Sequence, residues 1–336
     1  MDPFLAQTRP ANQLQNELIL EIMRYFLLFA PAFAVFSLLL TACGSQQDKS
    51  GKTLDTPTTG SIKVMVDEGY KPIVSTSIDV FDSIYKQATV EPIYTSEGEA
   101  LKALFTDSIQ VAVIARALSE DELNKYFRPR GFTPYMTPIA YDAIAFIQHP
   151  DNRDTVFTQA QIKDMLTGKI RRWSDLNPAS KLGDLRLVFD NPLSGAVRYA
   201  RDSIAGGGPL SPQASALQTN EEVINYVAKN KNAVGIISAN LISDTDDSGT
   251  QAFLQEIRLV RVAKQPGERG FGPWQAYLAT GDYPYKRTVH VINAQARKGL
   301  GLGFASFLAG NIGQTIVLKD GLLPATAVTR VIQVER

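Results

Sequence analysis

The run Gln110-Val111-Ala112-Val113-Ile114-Ala115 is apolar on both parities from its second residue onward. Such a run reads as a strand covered on both faces, as parallel strands in layered α/β sheets are. Its surroundings fit. Ser61-Ile62-Lys63-Val64-Met65-Val66 alternates like a first strand, and a helix follows over residues 73–85 with Val80, Phe81 and Ile84 as its buried face. Thr89-Val90-Glu91-Pro92-Ile93-Tyr94 reads as a second strand and residues 97–104 as a short helix. Further strands are predicted over 141–148, 185–189, 233–238, 257–262 and 289–292, with a last helix over 300–308. Strands alternating with helices predict an α/β protein. Ser119 with Glu122, Thr158 with Gln161 and Thr219 with Glu222 have the spacing of capping boxes, which satisfy the first free N–H groups of a helix.

Residues 25–42 carry no charge and are rich in Leu, Phe and Ala, with Arg24 just before them. This is the pattern of a secretory signal. It ends in Leu40-Thr41-Ala42-Cys43-Gly44-Ser45, a lipobox-like sequence around the single cysteine of the chain. Residues 1–42 are therefore expected to be a signal peptide, with 1–22 an extension from a start placed too far upstream. Cys43 is expected to be lipidated, since diacylglycerol and an N-acyl chain add about 0.8 kcal/mol of anchoring per buried CH₂. Residues 43–60 are expected to form a polar tether with too little apolar surface to fold.

Charge narrows the partners. The chain has 34 basic and 34 acidic residues, a net charge of zero, which lacks the basic footprint of a nucleic-acid binder. One cysteine excludes an internal disulfide, and with two histidines, His149 and His290, it leaves no ligand set for structural zinc. No nucleophile–base pair or acid pair at a defined spacing is present, so an enzyme is not expected, nor a cofactor. Gly299-Leu300-Gly301-Leu302-Gly303 lacks the spacing and context of a dinucleotide loop. Gly206-Gly207-Gly208-Pro209 reads as a helix stop, and residues 244–249 as a polar loop.

Two strand-to-helix turns are the candidate binding segments. In Asp190-Asn191-Pro192-Leu193-Ser194-Gly195-Ala196-Val197-Arg198-Tyr199, a Ser-Gly turn opens a helix with Val197, Ala200 and Ile204 at apolar spacing. Free N–H groups and the helix dipole favour an anion there, Gly195 permits close approach, and Ser194 and Arg198 can add donors. Tyr94-Thr95-Ser96-Glu97-Gly98 is similar in kind. The same residues also suit ordinary capped turns with a solvated arginine, and the motifs alone do not choose.

Several segments, in order, resemble the PstS-type phosphate-binding proteins of ABC importers, within the type II periplasmic binding proteins. They are Thr137-Pro138-Ile139-Ala140-Tyr141-Asp142, the stretch from Phe157-Thr158 to Trp173-Ser174-Asp175-Leu176, Tyr283-Pro284-Tyr285-Lys286-Arg287, Gly313-Gln314-Thr315-Ile316-Val317 and Gly321-Leu322-Leu323-Pro324. The resemblance implies a two-lobed fold, each lobe a central sheet flanked by helices, with two crossing strands between lobes. It places lobe 1 at 61–140 and 240–336 and lobe 2 at 141–239. It implies a buried oxyanion held by Ser96, Ser194, Gly195 and Ala196, the last standing where the family has threonine. Departures accompany it. Gln110 aligns with the family's phosphate-accepting aspartate, Asp190 with its arginine, and Asp67-Glu68-Gly69-Tyr70 with its first hydroxyl donor. Arg116 and Arg198 are candidates to restore the charge. The expected ligand contacts are thus Ser96, Ser194, Gly195, Ala196, Arg198, Arg116, Tyr70 and Asp142. The expected partners are inorganic phosphate or another small anion, a membrane through the lipid, and an ABC permease, with the chain a monomer. A different small ligand bearing a cationic group, and a ligand-free role beside a membrane assembly, stay open.

Overall fold

The structure, a computed structural model, describes residues 55–327. The apolar run, the lipobox with Cys43 and most of the tether lie outside the described residues.

Twelve strands are described: β1 Gly60–Asp67, β2 Ala88–Thr95, β3 Val111–Ile114, β4 Tyr135–Gln148, β5 Val156–Thr158, β6 Arg186–Phe189, β7 Ala214–Ala216, β8 Ala233–Ser238, β9 Arg258–Leu259, β10 Arg261–Ala263, β11 Lys286–Asn293 and β12 Leu323–Pro324. The helices labelled here are α1 Lys71–Ile84, α2 Glu97–Phe105, α3 Gly195–Tyr199, α4 Leu300–Ala309 and α5 Asn311–Lys319. The main sheet runs β2-β1-β3-β11-β4-β8-β6-β7, with β9 and β12 also on β4. Because β4 is 14 residues long, it serves both halves. Its first part pairs with β11 and β12, and Ile144 to Gln148 pair with β8. The fold is the two-lobed α/β arrangement expected, with β4 and β11 passing between the lobes.

Alternate residues of β3 reach opposite sides of the first sheet. Val111 and Val113 join a cluster with Val64, Val66 and Phe304, while Ala112 and Ile114 join another with Leu104 and Phe127. That is why both parities had to be apolar. The second lobe has its own core around Phe146, Trp173, Val188 and Ile236.

Ile257, Val260, Val262, Leu278, Tyr283 and Tyr285 pack in that second core, so the chain returns to the first lobe at Lys286 and not at residue 240 as the sequence suggested. In α1 the buried residues are Ile73, Val74, Ser77, Ile78 and Phe81, whereas Ile84, expected inside, is 45% exposed at the helix end. α4 is followed by α5, so it is not the last helix. Ser248 and Gly249, read as loop, begin a helix over Ser248–Glu256 that Asp247 caps.

The tether also ends sooner than residue 60. Asp55 pairs with Arg297, accepts from Gln295 Nε2 at 3.2 Å and caps α4 through the Leu300 N–H at 2.5 Å. The glycines of 299–303 serve this packing, because a Cβ on Gly303 would lie 1.8 Å from the Pro57 carbonyl oxygen.

Candidate functional site: a charged cleft between the lobes

Parallel strands in open sheets leave their C-terminal ends facing a crevice, and the loops there form the site. Here β1 ends at Asp67, β2 leads to Ser96 and Glu97, β3 to Arg116, β6 to Asp190 and Ser194, and β8 to Asn240. These loops converge on a cleft of about 250 Å³ lined by Asp67, Glu68, Thr95, Ser96, Glu99, Asp190, Asn191, Leu193 and Ser194.

The floor of this region is set by strand register. Arg287 on β11 lies directly opposite Asp142 on β4, so the two side chains share a face. Arg287 donates to Asp142 Oδ2 from Nε at 3.0 Å and from Nη2 at 2.8 Å, both side chains being almost wholly buried. Oδ2 also accepts from Tyr70 Oη at 2.9 Å and Ser238 Oγ at 2.7 Å, while Oδ1 accepts from the Asn240 N–H at 3.1 Å. Tyr70 and Asp142, expected as ligand contacts, are therefore spent on this buried node and do not line the cleft. Sequence reasoning missed Arg287, whose only signal was its place in a family-like segment. Its Nη1 is buried and has no hydrogen-bond partner among the described residues.

Arg287 Nη1 faces the turn at Gly195. A Cβ on Gly195 would sit 3.2 Å from Nη1, 2.9 Å from Asp67 Oδ2 and 2.9 Å from Glu97 Oε2. A methyl there would force these side-chain ends to shift. Ser194 caps α3 by accepting from the Val197 N–H at 3.2 Å, and Ala196 is buried in the first turn. Ser96 caps α2, accepting from the Glu99 N–H at 3.4 Å. Ser96 and Ser194 thus line one cleft from opposite lobes, while Gly195 and Ala196 are buried in the turn behind Ser194 and do not line it. Leu193 O accepts from the Gly98 N–H across it at 2.9 Å.

The other two arginines are engaged. Arg116 forks onto Glu122 at 2.6 and 2.7 Å, and its Nε lies 3.8 Å from Glu97 Oε1. Arg198 binds Glu97 through Nε, with Nη2 3.3 Å from Oε2. Gln110 sits at the far end of β3, where its carbonyl accepts from the Ala294 N–H, so Arg116 and not Gln110 stands at the cleft end of that strand.

Acids dominate what remains. Burial, then the charge of Glu97, pushes the Asp67 carboxyl up to about 7, against the pull of Arg287. Burial likewise raises Asp190, and burial with the Asp190 charge raises Glu68. No group of three or more His, Cys, Asp or Glu among the described residues could hold a metal ion.

Residues 51–311 match the family described as PBP superfamily domain. The chain belongs to the PBP superfamily. Among its superfamily relatives is the phosphate-binding protein PstS of Pseudomonas aeruginosa, 23% identical over 262 residues, covering 74% of this chain and 77% of PstS. PstS of Staphylococcus saprophyticus is 22% identical over 289 residues, 85% of each chain. Among solved structures, one from Clostridium perfringens, assigned to a phosphate ABC transporter and holding phosphate, aligns at a TM-score of 0.66 with 21% identity. It covers 80% of this chain and 100% of that one. An ABC-type phosphate transport receptor from Vibrio cholerae aligns at 0.60 with 17% identity, over 79% of this chain and 100% of its own. These relatives are named for binding phosphate.

Proposed function

We propose that the protein is an extracytoplasmic substrate-binding protein that takes a small oxyanion, phosphate foremost, between the Gly195 turn and Arg287 and hands it to an ABC importer. One observation carries this reading: a buried guanidinium nitrogen without a partner faces the glycine turn that opens a helix. A donor left so costs about 1–3 kcal/mol, which an oxyanion would recover. The hydroxyls of Ser96 and Ser194 line the adjoining cleft; that of Ser194 donates to Asp190 and would turn from it to the anion. The names of the relatives favour phosphate. The apolar run and Cys43 support export and lipid anchoring.

The test is thermal unfolding of the full chain in detergent with phosphate, sulfate and neutral controls. A ligand at 100 times its dissociation constant adds about 2.7 kcal/mol of stability. Stabilisation by phosphate supports the reading, and indifference to every oxyanion at millimolar concentration overturns it.

A second reading rests on Asp190, which is 7% exposed with Oδ1 unpartnered. With Asp67, Glu68 and Glu99 on the same cleft, it favours a ligand that also carries a cationic group. Stabilisation by amines or zwitterions, with none by phosphate, would select it.

A further inference from the structure

Glu97 is 1% exposed, yet it comes from the first turn of α2, where a glutamate would ordinarily point to water. Its carboxylate reaches over the Gly195 turn, with Oε2 at 2.9 Å from the point a Cβ would occupy. There it meets Arg198, which belongs to the opposite lobe, and approaches Arg116 from its own. A carboxylate held by guanidinium groups at a helix-opening glycine turn is chemically a bound oxyanion, supplied by the chain itself.

We propose that Glu97 is a built-in competitor: its carboxylate occupies part of the oxyanion seat and latches the lobes through Arg198, so an external oxyanion binds only by displacing it. This rests on the oxyanion reading above.

Three observations converge on it. The space at Gly195 is already taken, because the point its Cβ would occupy lies 2.9 Å from Glu97 Oε2 and 3.2 Å from Arg287 Nη1, so an anion reaching both the turn and Arg287 meets the Glu97 carboxylate there. The positive charge offered by Arg198 is already matched by Glu97, so an incoming anion replaces one partner by another. The Glu97–Arg198 pair and the neighbouring Gly98 N–H to Leu193 O bond join the same two loops across the cleft. A group tethered in its own site acts at an effective concentration of about millimolar or more. The apparent affinity for an outside ligand falls by the fraction of molecules in which the seat is clear. Glu97 thereby sets the protein to respond at higher anion concentrations than an unlatched relative of the same fold would.

The experiment is isothermal titration of the full chain, in detergent, with inorganic phosphate. Wild type is compared with Glu97→Gln, which keeps the side chain's size and removes its charge. The expected result is phosphate binding at least tenfold tighter in E97Q. Equal or weaker binding by E97Q, with wild type binding phosphate, overturns the competitor and leaves the oxyanion reading standing. No binding by either overturns both. The latch is read separately from the distance between spin labels at K102C and K169C, exposed on opposite lobes, in a Cys43→Ser background. E97Q and R198M should each lengthen that distance without phosphate. An unchanged distance in both folded variants overturns the latch.

Discussion

Replacing Arg287 by methionine removes the only cation hydrogen-bonded to Asp142 among the described residues and leaves a fully buried carboxylate. Breaking a buried pair from one side costs about 3–5 kcal/mol, because the remaining charge is stranded. Three donors to Asp142 survive in this case, from Tyr70, Ser238 and the Asn240 backbone, so the lower half of that range is expected. In a chain of this size each kcal/mol moves the melting temperature by about 2–4 °C, giving a drop of roughly 6–16 °C. Urea unfolding of R287M and wild type, followed by circular dichroism, measures the loss. A cycle with D142N isolates the pair: the double variant should lose clearly less than the sum of the two singles. R287K should fall between, since an ammonium keeps the charge but cannot make the fork. A loss below about 1 kcal/mol in R287M, or strict additivity with D142N, would refute the claim that this buried pair ties β11 to β4 where they pass between the lobes.

Other perturbations act on nearby groups. Gly195→Ala drives a methyl to within 2.9 Å of two carboxylate oxygens, and titration should show phosphate binding weakened at least tenfold; unaltered binding would place the ligand elsewhere. For pH, Asp67 is raised in the folded state from 3.8 to about 7. Between those values the folded chain holds a proton that the unfolded chain has released. Stability should therefore fall as pH rises through that interval and level off above it. Asp67→Asn should reduce that decline without abolishing it. Asp320, pushed up to about 7 by burial and then by Asp244 and Asp247, adds a slope of the same sign. An unchanged slope in D67N by denaturation across pH would count against a buried, protonated Asp67. Thr158→Ala removes a reciprocal cap and should cost about 1 kcal/mol with ligand binding intact, measured by urea unfolding.

Elements stated locally in the sequence were legible. β3 declares two-sided burial by its composition, and the capping boxes at Ser119 and Thr158 form reciprocally as spaced. The third differs: Thr219 caps its helix, but Glu222 turns to the Gln218 N–H one residue earlier. The Ser194-Gly195 turn was legible because a helix start needs a cap and a close approach needs glycine. Arg287 was not, since its role arises from lying opposite Asp142 in a ladder between strands 145 residues apart in sequence. Glu97 looked like first-turn helix chemistry, and only the neighbouring lobe makes it a buried anion. The return between lobes was placed too early because the segment after Asn240 continues in short strands, and its last anchors, Tyr283 and Tyr285, commit to the second core through tertiary packing. Tyr283 fixes this by donating to the Ile144 carbonyl at 2.6 Å.

The central claim is that a small oxyanion binds at the Gly195 turn beside Arg287. Crystals of wild type and E97Q soaked in arsenate, a phosphate isostere with a strong anomalous signal, would test it most directly. The account predicts an anomalous peak within hydrogen-bonding reach of Arg287 Nη1 and the first N–H groups of α3, stronger in E97Q. A peak only elsewhere, or none in either crystal at saturating arsenate, would contradict it.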